Sequence, residues 1–75
     1  MAARRALGPH GRLLIERDFY RAVGAYLRGD YRDARRRIAE ILRLDPGNQN
    51  ALALRRRVRA AERVGARALA VRPRV

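Results

Sequence analysis

Arginine and carboxylate are the side chains available for chemistry in this chain of 75 residues, which carries 19 arginines, no lysine and seven acids for a formal net charge of +12. Cysteine, serine and threonine are absent, and His10 is the single histidine. Nucleophilic, thiolate-metal and phosphoryl-transfer chemistry therefore lack their parts, and no Gly-rich phosphate loop is present. A lone imidazole with no second ligand in the sequence is no metal or catalytic site. Glu40 falls in the middle of a charged helix face with no second acid placed to form a general acid–base pair with it. The expectation is a non-enzyme with no cofactor, no metal and no small-molecule substrate, in which the arginines and the apolar stripes serve binding.

The arginines are unevenly balanced. Residues 1–15 hold three and no acid, residues 16–45 hold eight against six acids, and residues 46–75 hold eight against Glu62 alone. Replacement of every lysine by arginine fits a GC-rich coding bias, yet the guanidinium still sets what the surface attracts. A basic last third favours an anionic membrane surface, nucleic acid or an acidic protein segment. The absence of cysteine removes disulfide staples and fits a reducing compartment. Much of the 48% hydrophobic content is alanine, so the core must be thin and stability must come from helix packing.

The elements that position these charges are helical. Residues 1–12 combine arginines with Gly8-Pro9 and Gly11 and read as a flexible basic arm, a simple tail in preference to a cleavable organellar presequence, without the apolar run of a secretory signal. A first helix is expected from about Leu13 to Arg28, with Ile15, Phe19, Ala22, Val23 and Tyr26 on one side and Tyr20 and Leu27 widening the sector. Gly24 inside it costs about 1 kcal/mol relative to alanine, which close helix packing would justify. Gly29 ends that helix and Asp30 caps the next, with Asp33 favouring the same positive end. The second helix, about Tyr31 to Leu44, buries Tyr31, Ala34, Ile38, Ile41 and Leu42, and its solvated face pairs Asp33 with Arg37 and Arg36 with Glu40. Asp45-Pro46-Gly47 stops it, and Asn48 caps a third helix running from about Gln49 to Val71. That helix places Ala51, Leu54, Val58, Ala61, Gly65, Ala68 and Leu69 on one side, with Arg55, Arg56, Arg59, Arg63 and Arg67 opposite.

Gly29-x-Tyr31, Ala34 and Leu44-Asp45-Pro46 resemble the turn, small residue and ending of a tetratricopeptide repeat. Phe19-Tyr20-x-Ala22-Val23-Gly24-x-Tyr26, followed by Tyr31, Ala34, Leu42, Pro46, Asn48, Ala51 and Leu54, resembles more narrowly the second repeat of the mitochondrial fission 1 protein family. The similarity runs from about Arg17 to Gly65. The resemblance implies an all-α fold, a tetratricopeptide-like helical hairpin plus a capping third helix. It divides the chain into the arm at 1–12, the hairpin and start of the third helix at 13–54, and the basic amphipathic capping helix and tail at 55–75. Family members carry further helices before this region and a transmembrane helix after it. Here Arg67, Arg72, Pro73 and Arg74 interrupt any such span.

What the resemblance implies for function is a protein–protein interaction adaptor in mitochondrial or peroxisomal membrane fission, located in the cytosol or on the cytosolic face of the outer membrane. Phe19, Val23, Tyr26 and Leu27 would form the partner-binding groove, with fission machinery as the partner. Ala22, Gly24, Gly29, Tyr31, Ala34 and Pro46 would serve helix packing. Arg56, Arg59, Arg63 and Arg67 would form a basic surface able to touch acidic membrane peripherally. A general tetratricopeptide scaffold with another protein partner fits the same hairpin signatures. Weak RNA or polyanion binding ranks third, because the four aromatic rings sit in or beside the hairpin, away from the basic helix.

Overall fold

The computed structural model describes residues 8–70, and side chains from Gly8 to Arg67. It holds three helices, α1 (Pro9–Leu27), α2 (Tyr31–Leu44) and α3 (Gln49–Ala70), with no strand among the described residues. Helix α1 begins one turn before Leu13, so Pro9 to Arg12 are helical and do not belong to a flexible arm. Proline at the first helical position gives up an amide that would have no intrahelical acceptor, and its fixed φ suits the helix. The Arg12 amide then donates to the Gly8 carbonyl at 3.1 Å. The rest of the arm, residues 1–7, and the tail, residues 71–75, lie outside the described residues, as do the side chains of Ala68 and Leu69.

The two turns form by the expected chemistry. Gly29 takes φ +79°, a left-handed conformation that costs a Cβ-free residue little. Its amide donates to the Tyr26 carbonyl at 3.0 Å while the Asp30 amide donates to Ala25 at 2.8 Å, a Schellman closure of α1. The Asp30 carboxylate accepts the Asp33 amide at 3.2 Å and so caps α2. At the far end Asp45 bonds back to Ile41, and Pro46, with no amide hydrogen, cannot continue the helix. Asn48 Oδ1 accepts the Ala51 amide at 2.9 Å and starts α3.

Ala22 and Ala25 from α1, Ala34, Ile38 and Ile41 from α2, and Ala51, Leu54 and Val58 from α3 form the buried core. Half of these are alanine, which lets the helices approach closely but leaves little apolar volume between them. Helix α2 lies between the others, packing broadly on α1 and less broadly on α3, whereas α1 meets α3 only along a short seam. Burial on α3 ends at Val58, with Ala61 and Glu62 half-buried, and Arg63 to Arg67 are exposed throughout.

The packing roles divide differently from the sequence expectation. Ala22 and Ala34 are fully buried at the helix contacts and Tyr31 packs on the core edge. Gly24 does not sit against a neighbouring helix: a Cβ there would meet only the Arg28 guanidinium, at 3.3 Å. Ala25, one position on, is the residue buried in the core. Gly29 and Pro46 are exposed and act through the backbone of their turns, not through packing. The Arg36–Glu40 pair is also absent. Asp33 takes both Arg36 at 2.6 Å and Arg37 at 3.2 Å, and Glu40 takes Arg43 at 2.9 Å.

Candidate partner-binding groove

Because α1 and α3 touch only along a short seam, an open groove of about 310 Å³ remains between them. Phe19, Val23, Tyr26 and Leu27 line it from α1, and Asn50, Ala53, Leu54 and Arg57 line it from α3. The four α1 residues recur at i, i+4, i+7 and i+8, beside the buried Ala22 and Ala25, so one helix supplies both a core edge and a groove wall. Phe19, Val23 and Tyr26 are half-buried, with one side on the core and the other toward the groove. Leu27 is 76% exposed, so α3 does not cover the end of this stripe.

Aromatic contacts steady the wall. Tyr26 tilts against Tyr31 with ring centroids 6.1 Å apart, and Phe19 meets Tyr20 edge-on at 6.2 Å. Such geometries favour the rings electrostatically as well as by burial. Arg57 is the one charged residue lining the groove, which holds no carboxylate. Its surface therefore offers apolar contact with a single positive edge.

All four α1 residues expected from the sequence come together here, but Asn50, Ala53 and Arg57 were missed. Periodicity sets positions 50, 53 and 57 beside Leu54, but only the placement of α3 against α1 turns them into the groove. Arg56, Arg59, Arg63 and Arg67 are all exposed, as a basic surface requires. They are not one uniform stripe, since Arg59 borders a second cavity with Arg55 between α2 and α3. Glu62, the sole acid of α3, is engaged by Arg35 across the helices at 2.8 Å. The Asp33 carboxyl is held below its ordinary pKa, first by the hydrogen bond from Arg36 and then by that from Arg37. His10 is exposed, and no cluster of metal-ligating side chains occurs among the described residues.

A Gly-Asp-Tyr turn joining two helices, a Pro-Gly stop, and a third helix on the central one define a tetratricopeptide-type module. The family model for the Fis1 C-terminal tetratricopeptide repeat matches residues 15–61, more than half of the sequence, and the chain belongs to that family. No curated protein and no solved structure matches the chain. It is a protein-interaction module of a scaffold type that is generally non-enzymatic. No helix among the described residues is long and apolar enough to cross a membrane.

Proposed function

We propose that the chain is a fission adaptor whose α1–α3 groove receives a helical or extended segment of a partner protein, on the cytosolic face of the mitochondrial or peroxisomal outer membrane. The observation that supports this is the row of half-buried Phe19, Val23 and Tyr26 and exposed Leu27 beside the half-open seam. What distinguishes Leu27 from the other exposed aliphatic residues is that it continues an apolar wall along an open groove, the kind of contiguous surface that marks an interaction site. The family supplies the fission setting. A photo-crosslinking residue at Leu27, compared in cells with one at the exposed Arg43, tests both levels. Adducts concentrated at Leu27 and containing membrane-division proteins are expected. Adducts of another protein class at Leu27 would leave a general scaffold, and equal labelling at both positions would remove the groove.

A second reading concerns the outer face of α3, where Arg56, Arg59, Arg63 and Arg67 lie exposed and Val64 is 68% exposed beyond the last core residue. Arginine near an anionic surface contributes about 1 kcal/mol each, so reversible contact with acidic vesicles that weakens with salt is expected. Flotation with phosphatidylserine vesicles at low and physiological salt measures it. A chain that stays unbound at both makes this face a solvated one.

A further inference from the structure

On the other flank of α3 a cavity of about 230 Å³ opens between α2 and α3. Its floor is Ile38, Ala39 and Leu42, and its rim carries Arg35, Arg55 and Arg59. Ile38 is core, while Ala39 is exposed and Leu42 half-buried, so the floor is apolar and reachable from solvent. We propose that this cavity is a second docking surface, distinct from the α1–α3 groove, for an acidic amphipathic protein segment that places an aliphatic side chain over Ala39 and carboxylates on Arg55 and Arg59.

The rim charges carry the argument. Arg35 is committed to Glu62 at 2.8 Å, and Arg36, Arg37 and Arg43 of α2 are committed to Asp33 and Glu40. Arg55 and Arg59 form no ion pair among the described residues. They stand at i and i+4 on α3, so their side chains leave the helix roughly 6 Å apart, the spacing at which a partner helix presents two carboxylates one turn apart. Guanidinium and carboxylate match in planar, two-point hydrogen bonding, and the arginine stems add apolar wall above the floor. A phosphate backbone or lipid headgroup would satisfy the two cations and leave the apolar floor unused. A segment with both acids and an aliphatic side chain uses all of it.

Fluorescence anisotropy on the full chain tests this with a labelled helical probe peptide of alanine and glutamine, about 12 residues long, carrying two glutamates one turn apart with a leucine beside them. Binding is expected, and Arg55→Gln with Arg59→Gln should weaken it about tenfold or more, as should replacing the probe leucine by glutamine. Arg12→Gln with Arg21→Gln removes two exposed charges from α1 and should change affinity by no more than about twofold. Ala39→Arg adds a positive charge but fills the floor, so weaker binding is expected. Circular dichroism of each variant establishes that it is folded. The proposal is overturned by a probe that does not bind, by undiminished binding without its leucine, by tighter binding to Ala39→Arg, or by an equal loss in the α1 double variant. The last two outcomes would reduce the site to the general field of a polycation, shared by membranes and nucleic acids.

Discussion

Helices α2 and α3 are both arginine-rich and amphipathic, yet they spend their charges differently. On α2, Asp33 and Glu40 bind Arg36, Arg37 and Arg43 within the helix, while Ala34, Ile38 and Ile41 are buried between its two neighbours. On α3, six arginines between Arg55 and Arg67 share one acid, Glu62, and that acid is taken by Arg35 of α2. The same side chain is thus a local helix brace in one element and an outward field in the other. Placement of the acids makes the difference. Helix pairs contribute a few tenths of a kcal/mol each and saturate locally, whereas unpaired charges add over the whole surface.

The contrast between a structural α2 and a surface-forming α3 can be tested, and the largest effect should come from the core of α2. Ala34→Arg puts a guanidinium into a position with 0% exposure, costing about 3 kcal/mol or more from overpacking and an unpaired buried charge. In so small a domain that should abolish the cooperative thermal transition followed by circular dichroism. A wild-type melt would place Ala34 outside the α1–α2 contact. The caps allow a like-for-like comparison of the two helices: Asp30→Ala and Asn48→Ala should each cost about 1 kcal/mol in urea denaturation. A negligible loss for Asn48→Ala would mean that α3 is held by packing alone.

A smaller effect of opposite sign is expected at Gly24. With only the mobile Arg28 guanidinium in the way of a Cβ, Gly24→Ala should stabilise α1 by roughly 0.5–1 kcal/mol. Destabilisation there would restore Gly24 as a packing residue. The subtlest test is acid. Because Arg36 and Arg37 hold the Asp33 carboxyl below its unfolded pKa, its contribution is complete above the ordinary carboxylate value of about 4 and fades as pH falls through the folded value. The stability gap between wild type and Asp33→Asn, measured by urea titration across pH, should therefore close below about pH 4. A gap that persists at lower pH would assign it to something other than this ion cluster.

The helix boundaries at both turns were legible in the sequence because they rest on local chemistry. Gly29 supplies a positive φ, Asp30 and Asn48 supply side-chain acceptors, and Pro46 withholds an amide. The start of α1 was misread for a related reason: Gly8 and Gly11 look like breakers, but Pro9 at the first helical position outweighs them. The α1 wall of the groove was also legible, since Phe19, Val23, Tyr26 and Leu27 share a stripe by periodicity alone. Its α3 wall was not. Whether Ala53 and Arg57 face α1 or solvent depends on how far α3 rolls and how little it touches α1.

By itself the sequence determined the all-helical class, the two turns, the alanine-rich helix contacts and the excess of positive charge toward the end of the chain, because each follows from residue type and spacing along one helix. The tertiary structure decided which arginines meet acids, that Ala25 and not Gly24 is fully buried, and that α3 leaves a cavity on each flank. Those outcomes depend on the relative placement of helices, which is set by side chains of different elements packing at once and cannot be read along any single one of them.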